Sequence, residues 1–242
     1  MTTRIAMWSG PRNISTAMMR SFGGRSDCAV SDEPFYGAFL KTTGQRQPMA
    51  DEVIASMDCD WQSVAETMRG PVPEGKAVWY QKHMPHHMVA GISIADFPDH
   101  RHAFLIRDPD RVVASYAAKR VEVTADDLGY ARQIEYADRV AQMTGKAAII
   151  LDSADILRDP EAHLRALCIA LDLHWDAGML TWETGTRESD GVWASHWYGR
   201  VINTTGFGQP ESTTPQLSDK EKGIADQCRD AYLKLLELRI KL

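Results

Sequence analysis

The sequence predicts an α/β protein of three layers, with helices on both faces of a mainly parallel sheet. Three observations carry that prediction. Short apolar strands alternate with helical stretches from residue 5 to about residue 171. The first strand runs through a tight Gly10-Pro11 turn directly into a helix, and the later strands also end on polar residues. A chain of 242 residues with 44% hydrophobic content is long and apolar enough for a sizeable core.

Taken in order, Ile5 to Trp8 form the first strand, and a helix opens at Ile14. Strand, small-residue turn and helix N-terminus make an anion cradle, because the first backbone N–H groups of the helix have no partner and its dipole favours negative charge. Ser15 and Thr16 add hydroxyls, and Arg12 adds a charged fork suited to phosphate or sulfate. The first 25 residues hold four arginines and no acid, although the net charge of the whole chain is −6. That net charge argues against general binding to nucleic acid or a membrane surface. The segment is not a Walker A loop, since Ser15 replaces its second glycine and Thr16 its lysine, which disfavours an ordinary ATP or GTP hydrolase.

Cys28 to Ser31 read as a second strand ending at Asp32-Glu33-Pro34, with a helix from Phe35. Glu33 sits at a strand end, where open α/β sheets present ligand-binding groups. Residues 43–76 hold two short helical patterns and read as an insertion on the sheet. Ala77 to Gln81 form the third strand, followed by Lys82-His83-Met84-Pro85-His86-His87. The three histidines lack a nearby cysteine or carboxylate to complete a ligand set, so no metal is expected. Ala103 to Ile106 form the fourth strand, and Asp108 and Pro109 open the next helix, placing Ser115 eight residues after Arg107. An arginine at a strand end and a serine at that spacing can close on one anion from two sides. Thr124-x-x-Asp127 starts a long helix to about Met143, and Ala147 to Leu151 form the last strand. Asp159-Pro160 opens a helix through Leu171. Residues 182–207, rich in tryptophan and glycine and carrying Arg200, read as an ordered lid over a site. Ser218-x-x-Glu221 caps a final amphipathic helix to about Leu238. Four scattered cysteines without a C-x-x-C pair read as reduced thiols, and with no signal peptide or apolar span the expected compartment is the cytoplasm.

Several of these motifs resemble those of sulfotransferases. Arg12, Ser15 and Thr16 are similar to the 5′-phosphosulfate loop, with Arg12 in place of its lysine and Ala17 where an aromatic residue often follows. Arg107, Pro109 and Ser115 resemble the 3′-phosphate motif position for position. His83 and Pro85 resemble the catalytic histidine segment of the cytosolic enzymes, with the lysine displaced to sit beside the histidine, and Glu33 resembles the E-P glutamate of other members. The wording of the lid is similar to a little-characterised sulfotransferase-like group, some members of which carry a branched-chain aminotransferase label; no pyridoxal-lysine signature accompanies it.

The resemblance implies one sulfotransferase domain over residues 1–242, with the P-loop NTPase-like fold of that family. It implies an adenine-nucleotide donor, 3′-phosphoadenosine 5′-phosphosulfate, a small-molecule acceptor of unknown identity and no metal. On it, Gly10, Pro11, Arg12, Asn13, Ser15, Thr16, Arg107, Ser115 and Arg200 bind the donor. Arg12 also stabilises charge on the leaving phosphate, and either His83 or Glu33 is the base. A phosphotransferase, or a non-catalytic anion or nucleotide sensor, is the second reading.

Overall fold

The computed structural model describes residues 2–120 and 122–242. Five strands form one sheet in the order β2-β3-β1-β4-β5, with every pairing parallel. They are β1 (Thr3–Ser9), β2 (Cys28–Asp32), β3 (Val78–His83), β4 (Arg101–Ile106) and β5 (Ile149–Asp152). From β1 the chain builds outward to β2, returns to insert β3, then crosses to β4 on the other side of β1. Such a reversal opens a crevice at the carboxyl ends of the strands.

Side-chain alternation along each strand divides the core into two layers. Ile5 and Met7 of β1, Val78 and Tyr80 of β3, and Leu105 of β4 join one apolar cluster. Ala6, Trp8, Trp79, Phe104 and Ile106 join the other. Helices α1 (Ser15–Gly23), α2 (Tyr36–Thr43) and α3 (Ala50–Ser56) cover the first face, and α4 (Trp61–Arg69) turns to the second. Helix α5 (Pro109–Ala117) also covers the second face, through Val112, Val113 and Tyr116.

The caps read from the sequence form as hydrogen bonds. The Asp108 carboxylate accepts from the Asp110 and Arg111 N–H groups at the start of α5. Thr124 and Asp127 close a capping box on α6 (Ala125–Leu128), but the expected single helix does not run on. Gly129 turns left-handed at φ 74°, and α7 (Tyr130–Thr144) starts afresh after it. Glycine adopts that conformation without steric cost, so the helix breaks there. After β5 come α8 (Ser153–Arg158) and α9 (Pro160–Ala170), the latter capped by Asp159. Residues 182–207 contain only α10 (Ala194–Trp197), a 3₁₀ turn at Val201–Asn203 and the end of a Thr181–Gly206 bridge. Ser218 and Glu221 box the start of α11 (Asp219–Leu238), whose Ala225, Cys228, Tyr232 and Leu235 are buried. All four cysteines are free thiols. Among the described residues no helix is long and apolar enough to cross a membrane.

Candidate functional site

A cavity of about 1270 Å³, its open mouth included, lies at the carboxyl edge of the sheet between the β1–α1 loop and the 182–207 stretch.

The loop gives the cavity its floor. Arg12 and Ile14 both adopt left-handed backbone, at φ 58° and 51°. Alternation of that kind turns successive N–H groups toward one point, a concavity suited to an anion. Ile14 is the N-cap of α1 and offers no side-chain cap, so the N–H groups of the first turn are left for a ligand. Pro11, Arg12, Asn13, Ser15 and Thr16 line the space. The Asn13 side chain is nevertheless committed inward, its Nδ2 donating to the Leu105 carbonyl at 2.5 Å and tying the loop to β4. Gly10 acts one step back. A Cβ at that position would lie 2.3 Å from the Leu128 carbonyl oxygen, so only glycine lets the loop pack against the α6 terminus.

Three guanidinium groups meet over this floor. Arg12 Nε donates to Ser115 Oγ at 3.0 Å, and its Nη1 donates to the Trp197 carbonyl at 3.3 Å. Arg107 Nη1 donates to the Arg12 carbonyl. Burial first, then the charges of Arg107 and Arg200, lower the pKa of Arg12, as expected where cations crowd together. One of the three, Arg107, is paired with a carboxylate. Glu211, from the segment after the lid, takes Arg107 Nη2 on both oxygens at 2.6 Å and Arg111 Nη1 at 2.9 Å. Its pKa is pushed up by burial but pulled further down by hydrogen bonds from, and the charges of, Arg107 and Arg111, so it stays ionised.

The two candidate bases part company. Glu33 follows β2 with a left-handed backbone at φ 44° and lines the cavity. Its Oε1 accepts from Lys82 Nζ at 2.7 Å, while burial, opposed by Lys82 and aided by Asp32, raises its pKa. His83 is not brought to the cavity, which corrects its expected place there. Strand β3 runs on through Lys82 and His83, paired with Met7 and Trp8 of β1, two residues beyond the strand end expected from the sequence. Alternation then aims Lys82 at the cavity and His83 at the opposite face. There it is 1% exposed, stacks on Trp8 at 4.7 Å and pairs with Gln81 Oε1 at 3.2 Å. Burial, then His100 and His102, hold its pKa well below the usual histidine range. His86 and His87 do line the cavity, but as packed neutral rings: His87 stacks on Tyr36 at 4.7 Å. Burial lowers His86 to about 4. The described residues contain no cluster of three or more metal-ligating side chains.

Lys82, Asp32, Tyr198 and Glu211 are the site residues that motif spacing did not single out. A lysine directly beside the histidine, in a strand of buried residues, was the one local signal.

Comparisons with known proteins bear on the family and the fold. A family model described as a sulfotransferase domain matches residues 3–227. Two curated proteins of Arabidopsis thaliana are similar in sequence. Branched-chain-amino-acid aminotransferase-like protein 2 is 35% identical over 230 residues, covering 94% of this chain and 40% of its own length. Its counterpart, protein 1, is 36% identical over 208 residues, covering 86% and 37%. The chain therefore spans about 40% of the length of the curated relatives it matches. Among solved structures, the sulfotransferase domain from the curacin biosynthetic pathway aligns with a TM-score of 0.52 at 13% identity, over 95% of this chain and 98% of that one. A sulfotransferase from Alicyclobacillus acidocaldarius aligns with a TM-score of 0.52 at 11% identity, over 96% and 94%. At such identities the likeness is one of fold.

Proposed function

The chain belongs to the sulfotransferase domain family, and we propose that it moves the sulfuryl group of 3′-phosphoadenosine 5′-phosphosulfate to a hydroxyl or amine of a small acceptor. The observation that carries this reading is the convergence of Arg12, Arg107 and Arg200 on one cavity, where Glu211 pairs with Arg107. A cationic cleft of that kind favours a ligand with more than one anionic group. The β1–α1 loop, with Ser15, Thr16 and the open helix terminus, suits the 5′-phosphosulfate. Arg107 and Ser115 suit the 3′-phosphate, and Arg12, bonded to Ser115 and beside the loop, bridges the two.

The donor supplies the sulfuryl group: the acceptor oxygen or nitrogen bonds to sulfur, the sulfur–oxygen bond to the 5′-phosphate breaks, and the phosphate keeps the electron pair. Arg12 and the loop N–H groups stabilise the charge that appears on that phosphate, an electrostatic contribution that needs no reorganisation at the moment of reaction. Glu33 takes the acceptor's proton, and its raised proton affinity fits that work. Residues 182–207 act as the lid, reaching Arg12 through the Trp197 carbonyl. The whole chain is one catalytic domain with α3 and α4 as its insertion. Four free cysteines fit a reducing compartment such as the cytoplasm.

The aminotransferase part of the relatives' names finds no support in the cavity. Lys82 is the buried lysine that lines it, and its ammonium is held by three partners, which leaves no free amine to condense with a carbonyl. The test is direct. Adenosine 3′,5′-bisphosphate should raise the melting temperature far more than AMP, and incubation with the donor and a broad panel of alcohols, phenols and amines should give a product heavier by one sulfuryl group. Equal stabilisation by the two nucleotides would sink the assignment of the 3′-phosphate.

A further inference from the structure

Beneath Glu33 lies a closed set of charges drawn from three parts of the chain. Lys82 Nζ donates to Asp32 Oδ1 at 2.8 Å, to Glu33 Oε1 at 2.7 Å and to the Tyr198 hydroxyl at 2.6 Å, which accounts for all three of its protons. Tyr198 passes its own proton to Asp32 Oδ2 at 2.6 Å and accepts from Trp193 Nε1 at 3.2 Å. Lys82 and Asp32 side chains are each 1% exposed. Glu33 is the carboxylate of the set that lines the cavity, and among the described residues no hydrogen bond is made to its Oε2, which is not sealed from the cavity.

We propose that Asp32 and Lys82 are positioning residues for Glu33: the ammonium pins Oε1 and turns Oε2 to the acceptor, and Asp32 divides the ammonium's charge so that Glu33 can still accept a proton. The inference rests on the reading of Glu33 as the base. Its logic is electrostatic. An ammonium held by Glu33 alone would make that carboxylate a poor base. A carboxylate buried there without the ammonium would already carry its proton. With two carboxylates on one ammonium the set has a net charge of −1, and it becomes neutral when Glu33 Oε2 takes the proton of the acceptor. Tyr198 holds the other two in place from the lid, so the lid and the base share one hydrogen-bonded unit. Tyr36 of α2 and Tyr116 of α5 feel the charge of Glu33 and are both kept neutral by raised pKa values, while His87, kept neutral by burial, and the guanidinium of Arg12 line the same cavity. The change of charge therefore falls within the set itself.

The experiment follows the Glu33 carboxyl directly, by carbon NMR of protein labelled at glutamate side chains and saturated with adenosine 3′,5′-bisphosphate. Glu33→Gln identifies the resonance by removing it. Asp32→Asn, which keeps the shape of the side chain, should lower the titration midpoint of Glu33 by about one pH unit, a tenfold loss of proton affinity. Lys82→Met should raise it by at least as much, and if that variant fails to fold, Asp32→Asn alone still decides. A Glu33 midpoint unmoved by Asp32→Asn overturns the proposal. Because no turnover is needed, the two ideas separate. A shifted midpoint without any sulfated product would leave the charge set standing and refute the transfer reaction. Where product does form, Asp32→Asn should lower kcat about tenfold and move the acid limb of its pH profile downward, with the KM for the donor unchanged.

Discussion

His83, His86, His87, His100 and His102 are all held below the ordinary histidine pKa, chiefly by burial, and this predicts an acid-sensitive fold. His86, His100 and His102 fall to about 4. Each stays neutral in the folded chain and takes a proton near pH 6.5 once unfolded. The unfolded state therefore binds more protons, and stability is lost as pH falls from about 6.5 toward about 4. At pH 5 a group shifted from about 6.5 to about 4 costs roughly 2 kcal/mol, since each pH unit is worth about 1.36 kcal/mol. Three such groups remove on the order of 6 kcal/mol, comparable to the whole stability of an ordinary domain, and His83 and His87 add to that. Glu33 and Asp152, whose pKa values are raised by burial, act in the opposite direction, but they are two groups against five. Urea denaturation followed by circular dichroism at pH 7.5, 6.5, 5.5 and 5.0 should show the unfolding free energy falling by several kcal/mol. A flat profile, or a His83 imidazole titrating near 6.5 in the folded protein by NMR, would refute the reasoning and reopen His83 as a base.

Other outcomes follow from the site. Arg107→Ala should weaken adenosine 3′,5′-bisphosphate about tenfold or more while changing AMP little, because a charge-assisted contact is worth about 1.5–3 kcal/mol; calorimetric titration with both nucleotides measures it. Glu33→Gln should lower turnover by about 10²–10⁴-fold with nucleotide affinity kept. His83→Ala should instead lower the melting temperature and spare turnover per folded molecule, and the reverse pattern in a coupled assay of the two variants would exchange their roles. Gly10→Ala forces a Cβ to within 2.3 Å of the Leu128 carbonyl oxygen, which should cost about 1–3 kcal/mol and loosen the loop; differential scanning calorimetry would detect it. Removal of divalent cations with EDTA should leave nucleotide binding unchanged in the same titrations.

The parts of this protein legible in the sequence are those written in local patterns. Alternation of apolar strands and capped helices predicts the layers, and Asp108, Thr124, Asp159 and Ser218 cap the helices expected of them. The anion loop was legible because a strand, a Gly-Pro turn and an uncapped helix start are contiguous. Which of His83 and Glu33 lines the cavity was not, because it hangs on where β3 ends. Two further residues of pairing put Lys82 and His83 inside the strand, where alternation sends their side chains to opposite faces, and pairing with Met7 and Trp8 is a property of β1 rather than of β3. Tyr198 and Asp32 lie 166 residues apart, and Arg107 and Glu211 lie 104 apart, so no local periodicity reports their meeting. Gly129 was readable only as a glycine; its left-handed turn depends on the packing of α6 and α7 around it.

Backbone strain draws these threads toward one place. Arg12, Ile14 and Glu33 all hold positive φ angles without being glycine, and all three line the cavity. Such conformations cost about 1–3 kcal/mol each and persist only where the surroundings enforce them. Met49, Glu74 and Asp172 share the left-handed region, but they stand at a helix start, in a 3₁₀ turn and just after a helix end, positions where the chain must reverse or cap. Ile14, the N-cap of α1, shares the first of these reasons, whereas Arg12 and Glu33 stand in loops beside the cavity. At 12 and 33 a glycine would relax the backbone and remove the guanidinium or the carboxylate that the proposed transfer uses. At 14 it would remove a partly buried apolar side chain that packs against the core cluster of the first sheet face. Under the proposed reaction, the strained residue is kept at 12 and 33 because the geometry of the turn and the charge of the side chain are needed at the same point.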